Sequence, residues 1–129
     1  MDIQGIHHLG LAVSNLKARA DFFTQLLGWT IAKEKPDYPA IFVTNGHAFI
    51  TLWQTEDGAA IFNRRKNVGL HHFALKVATE AELNEIFFRA SNFPGVNVEF
   101  APELVGAGPA KHCMLYEPSG IRIEFFWAP

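Results

Sequence analysis

The stretch Gly5-Ile6-His7-His8-Leu9-Gly10-Leu11-Ala12-Val13 returns as Gly69-Leu70-His71-His72-Phe73-Ala74-Leu75-Lys76-Val77, 64 residues later (72 less 8). The two copies share Gly, both His, one Leu and the closing Val. Each is followed by a helical pattern that ends near a Phe-Phe pair, Phe22-Phe23 and Phe87-Phe88. This is a duplicated module. A chain of 129 residues lies in the usual range for one domain, so modules over about 1–57 and 68–129 are expected to share a single domain, 1–129.

The composition is that of a folded protein, 49% hydrophobic and 13% aromatic, with 12 Phe to build a core or an aromatic pocket. A net charge of −2 and one short basic run, Arg64-Arg65-Lys66, offer little attraction to a phosphate backbone, so nucleic acid is not an expected partner. The single Cys113 cannot form an internal disulfide and reads as a small buried apolar residue. Neither a signal-like N-terminus nor an apolar run near the roughly 18 residues of a membrane-spanning helix is present. A cytoplasmic protein with no membrane partner is expected.

Taken in order, Ile6–Val13 reads as a strand whose alternation sends His8 and His7 to opposite faces. Ser14 reads as the cap of a helix carrying Leu16, Ala20, Phe23 and Leu27, and Gly28 suits its end. Strands follow at 29–35, 40–44 and 48–54, with Asn45-Gly46 as a hairpin turn. Module two repeats the order: a strand at 70–77, a capping box Thr79-Glu80-Ala81-Glu82 opening a helix, then strands at 96–100, 112–116 and 121–127. A Gly/Pro-rich loop over 102–110 is long enough to cover something.

The last strand puts an acid, Glu124, between aromatics. A charged group there needs solvent, a partner or a ligand, because burying it alone is costly. In a two-module protein the strands bearing His8 and His72 occupy equivalent settings, as do those bearing Thr51 and Glu124. Two imidazoles and one carboxylate are a common donor set for a divalent metal with open positions for substrate. His8, His72 and Glu124 are therefore the candidate metal ligands.

The pattern His8-Leu-Gly-Leu-Ala-Val13, its copy at His72 and the stretch Tyr116-Glu-Pro-Ser-Gly-Ile-Arg-Ile-Glu124 resemble the vicinal oxygen chelate superfamily of glyoxalases, bleomycin resistance proteins and extradiol dioxygenases. The resemblance implies an α+β fold of two tandem βαβββ modules, their strands forming a cup-shaped mixed sheet with helices outside. It also implies one divalent ion (Fe, Mn, Ni, Co or Zn), a small-molecule substrate with adjacent oxygens and a homodimer. His8, His72 and Glu124 match three of its ligand positions. The fourth falls on Thr51, a weak neutral donor and no general base. The acid-base Tyr of extradiol enzymes has its counterpart at Met114.

Among the remaining residues, Phe49, Trp53, Met114 and Phe126 read either as pocket lining or as ordinary core. Arg122 is expected to pair with Glu124, to hold an anionic substrate group or to lie solvated on the rim. His112 is a candidate acid or base. The resemblance implies a metal-dependent lyase or isomerase akin to lactoylglutathione lyase; the alternatives are an Fe(II) dioxygenase and a small-molecule or antibiotic binding or resistance protein.

Overall fold

The computed structural model describes all residues from Met1 to Pro129. They divide into two compact units, Met1–Ala59 and Ala60–Pro129, each a βαβββ module with its own four-stranded mixed sheet. The expected α+β repeat is thus present.

In the first unit, β1 (Leu9–Val13) runs parallel to β4 (Phe49–Gln54), and β3 (Ala40–Thr44) and β2 (Thr30–Lys35) add on antiparallel, in the order β1-β4-β3-β2. Strand alternation buries Leu11, Val13, Val43, Ile50 and Leu52 on one face. Helix α1 (Leu16–Asp21) packs against β3 and β4 and continues as one wider π-helical segment, Phe22–Leu26. Phe22, Phe23 and Leu26 are all buried there, whereas the expected inward position Leu27 is only half-buried. The cap is Asn15, not Ser14: Asn15 adopts a left-handed conformation (φ 49°) and its side-chain oxygen accepts from the Ala18 amide. Gly28, at φ 74°, ends the segment as expected. The Asn45-Gly46 turn joins β3 to β4, with Asn45 Oδ1 accepting from the amides of His47 and Ala48 at 2.9 and 2.8 Å.

In the second unit, β5 (Phe73–Lys76) runs parallel to β8 (Arg122–Trp127), followed by β7 (Lys111–Tyr116) and β6 (Asn97–Leu104). Helix α2 (Glu80–Ser91) packs on β6, β7 and β8, burying Leu83 and Ala90 with Cys113, Leu115, Ile123 and Phe125. Its capping box is as expected: Thr79 Oγ1 accepts from the Glu82 amide at 3.1 Å, and Glu82 Oε2 accepts from the Thr79 amide at 3.2 Å. Strand β6 is longer than expected and includes Pro102, which shortens the expected loop to 105–110. A proline is tolerated there because β6 is the sheet's edge strand.

The turn from β7 to β8 is tied down by buried Glu117, whose carboxylate accepts from the Ile121 amide at 3.1 Å, and by the Ser119 carbonyl, which accepts from the Phe62 amide at 3.0 Å. Gly120 sits at φ 88°, and a Cβ on it would lie 2.3 Å from the Phe62 carbonyl oxygen. Gly120→Ala should therefore cost about 1–3 kcal/mol in backbone strain alone, before that clash is counted. Thr79→Ala, which removes only the cap, should cost about 1 kcal/mol. Urea denaturation of the two variants checks this; a Gly120→Ala protein as stable as the parent would refute the account of the turn.

Candidate functional site

Each sheet has a second face, turned away from its helix, and the candidate residues that belong to strands β4, β7 and β8 lie there. In the first unit, register pairs Gly10 with Thr51, Phe42 with Thr51, and Ala40 with Trp53. Thr51 is buried at 3% exposure, and its Oγ1 accepts the Trp53 indole N–H at 2.9 Å. The same oxygen lies 3.2 Å from where a Cβ on Gly10 would stand. An aromatic row crosses this face: Tyr38 edge-on to Trp53 (4.7 Å between centroids), Trp53 to Phe42 (5.4 Å), Phe42 to Phe49 (6.1 Å) and Phe49 to His8 (6.4 Å). Phe49 and Trp53 are half-buried and belong to this row rather than to the helix-side core.

His8 itself precedes β1 and is exposed. Its Nδ1 lies 2.9 Å from that of His7, and His71 and His72 repeat the contact at 2.7 Å. The expectation that neighbouring histidines point to opposite faces fails here. The ladders start at Leu9 and Phe73, so alternation does not govern the residues before them.

In the second unit, Glu124 pairs across the sheet with Ala74 on one side and Met114 on the other. Its side chain is 12% exposed, and its one hydrogen bond is to His112, Nδ1 to Oε2 at 3.2 Å. His112 sits diagonally across the β7–β8 ladder, opposite Phe126, with its ring 4.9 Å from Phe100 and 6.2 Å from Phe126. Met114 is buried at 3% exposure and Phe126 is half-buried. Cys113 points into the helix-side core, where burial pushes its thiol up to about 11.

Arg122 does not pair with Glu124, nor is it solvated. It is buried and donates to Glu99 from Nε at 3.0 Å and from a terminal nitrogen at 2.6 Å. Tyr116 donates its hydroxyl to the same carboxylate at 2.6 Å, and Arg64 approaches at 3.4 Å. Glu99 was not legible as a site residue: register shifts on either side of Phe100 bulge β6 and turn the Glu99 carboxylate toward Arg122.

Within neither unit, taken alone, do three His, Cys, Asp or Glu side chains form a group able to hold a metal. His8 belongs to the first unit, and His72 and Glu124 to the second.

The family model described as Glyoxalase/Bleomycin resistance protein/Dioxygenase superfamily matches residues 5–125. The chain belongs to this superfamily. No curated protein sequence matches it. Among solved structures, a glyoxylase/bleomycin resistance protein/dioxygenase domain from Frankia is similar at TM-score 0.84 and 18% identity, covering 99% of this chain and 100% of that one. Lactoylglutathione lyase from Agrobacterium tumefaciens is similar at TM-score 0.72 and 21% identity, covering 98% and 95%. The fosfomycin resistance protein FosX from Listeria monocytogenes is similar at TM-score 0.76 and 16% identity, covering 99% and 96%. A variant of that Listeria protein has been seen with Mn(II) and dihydroxypropylphosphonic acid. At these identities the likeness is one of fold. No helix of this superfamily member is long and apolar enough to cross a membrane.

The hydrogen bond from Arg122, more than any other influence, holds the Glu99 carboxyl at about 2, below its ordinary 4.5. The folded state therefore binds this proton more weakly than the unfolded state. The network stabilises the fold above pH 4.5, and its contribution is lost as pH falls toward about 2. Glu99→Gln should be less stable than the parent at neutral pH, and the gap should close with acidification through that window. Denaturant melts across a pH series measure this, and a gap that does not vary with pH would contradict it.

Proposed function

We propose that the chain is a metal-dependent, glyoxalase-like enzyme of the lyase or isomerase class. His8, His72 and Glu124 would hold one divalent ion, which would supply Lewis-acid chemistry to adjacent oxygens of a small organic substrate. The observation that carries this reading is Glu124, a carboxylate in mid-strand, largely removed from water, whose one side-chain hydrogen bond is to His112. Such a group is costly to keep unless a cation completes its surroundings.

The donor chemistry fits. His8 and His72 each use Nδ1 on a neighbouring histidine, which leaves both Nε2 atoms without a partner. Two imidazoles and one carboxylate suit Fe, Mn, Ni, Co or Zn.

The chain's own side chains supply the rest. Thr51 cannot serve as proton acceptor, since its hydroxyl is neutral and already accepts the Trp53 N–H. His112 orients Glu124 through Nδ1, and its Nε2 is the nearby candidate acid or base. Met114 and Phe126 keep water from the flanks of Glu124. The resemblance also carries a homodimer, which sedimentation of the purified chain would test. Lactoylglutathione lyase and a Mn(II)-holding relative among proteins of the same fold support this reading.

Elemental analysis of the tag-free protein should find about one divalent ion per chain, absent from His8→Ala and Glu124→Gln. His112→Ala should weaken metal affinity about 10–100-fold, the usual cost of losing a group that orients a ligand. A metal-free parent protein that turns over no diol, ketoaldehyde adduct or catechol would overturn the proposal. Bound iron with oxygen uptake on a catechol would replace the lyase reading with the dioxygenase one.

A further inference from the structure

The first unit contains a cavity of about 460 Å³, within the range of small-molecule sites, lined by Glu34, Lys35, Pro36, Asp37, Tyr38 and Trp53. It lies at the turn between β2 and β3, and none of the metal-site residues lines it. Two of its walls are aromatic and nearly perpendicular: the Tyr38 and Trp53 rings meet at 83° with centroids 4.7 Å apart. Trp53 is fixed in place by its N–H bond to Thr51 and by Phe42 behind it. Tyr38 is 63% exposed, so the corner opens to solvent.

The side chains of Glu34 and Asp37 make no hydrogen bond or ion pair, although Lys35 lies between them in sequence. The Lys35 ammonium instead sits 5.7 Å from the centre of the Trp53 ring. The indole face thus already holds a cation, drawn from the chain itself, while two free carboxylates stand at the rim. Ring quadrupoles attract cations, and a weakly hydrated organic ammonium gains more from such a surface than the strongly hydrated ammonium of a lysine.

We propose that the Trp53–Tyr38 corner is a binding site for an organic cation, a small molecule bearing a quaternary or alkylated ammonium. The ligand displaces Lys35 from the indole face and takes Glu34 and Asp37 as its counter-charges. This goes beyond the metal reading and does not rest on it.

The test titrates the full-length protein, as purified, with phenyltrimethylammonium and with its neutral isostere tert-butylbenzene, following the Trp53 indole N–H by NMR. The cation should bind at least about tenfold tighter than the isostere, which matches its shape and lacks its charge. Lys35→Gln removes the internal competitor and should tighten cation binding about two- to fivefold, whereas a merely structural lysine would give no gain. Glu34→Gln with Asp37→Asn should weaken it. Tyr38→Ala, at an exposed position that leaves the core intact, should weaken it as well and stands in for Trp53→Ala if that variant does not fold. Equal binding of cation and isostere, or cation binding unchanged in Tyr38→Ala and weakened in Lys35→Gln, would overturn the proposal. Repeating the titration after dialysis against a chelator keeps this outcome separate from that of the metal reading.

Discussion

Everything on the open faces depends on the parallel pairing of first strand with last in each module. Because β1 lies beside β4 and β5 beside β8, Gly10 stands opposite Thr51, and Ala74 opposite Glu124. The repeat offset is 64 residues at Gly10 and Ala74, but 73 at Thr51 and Glu124. The difference, 73 less 64, is nine residues added to the second module between those strands, where β6 is longer than its counterpart and bulged. The parallel ladder holds the two ends of each module in the same relation despite that insertion.

Most equivalent positions on the open faces have taken different chemistry, although Trp53 and Phe126 are both aromatic. Phe49, Thr51 and Trp53 of β4 correspond to Arg122, Glu124 and Phe126 of β8, and Ala40 and Phe42 of β3 to His112 and Met114 of β7. The first unit has become an aromatic surface whose one buried hydroxyl is spent on an indole N–H. The second has become an ionic surface in which two carboxylates are sorted by partner: Glu99 is held by arginine and stays ionised, while Glu124 faces histidine. That sorting keeps Arg122 from neutralising Glu124, which a simple alternation of charges along β8 would have invited.

Local signals were legible in the sequence. The capping box at Thr79 and the Asn45-Gly46 turn each complete their hydrogen bonds within a few residues, so no distant contact can overrule them. The first helix cap lies one position beyond the expected Ser14 because Ser14 and Asn15 are both good caps, and only Asn is at ease in the left-handed conformation the chain adopts there. The length of β6 was hidden because Pro102 argues against a strand unless the strand is known to be an edge. Glu99 was hidden by a bulge, which no periodicity announces. The His112–Glu124 contact was within reach, since the turn at 117–120 sets the hairpin register and makes the two diagonal neighbours. The doubled histidines marked the repeat correctly, but their directions could not be read from alternation because they precede the ladders.

The contact between Gly10 and Thr51 ties two positions to one another in space. A β-branched residue holds its Oγ1 close to the backbone, here 3.2 Å from any Cβ that Gly10 might acquire, so a side chain there would have to push Thr51 aside by a few tenths of an ångström. The unbranched Glu124 carries its bulk farther from the strand and sits opposite Ala74. The chain thus contains two solutions to one packing problem, glycine beside the branched Thr51 and alanine beside the unbranched Glu124.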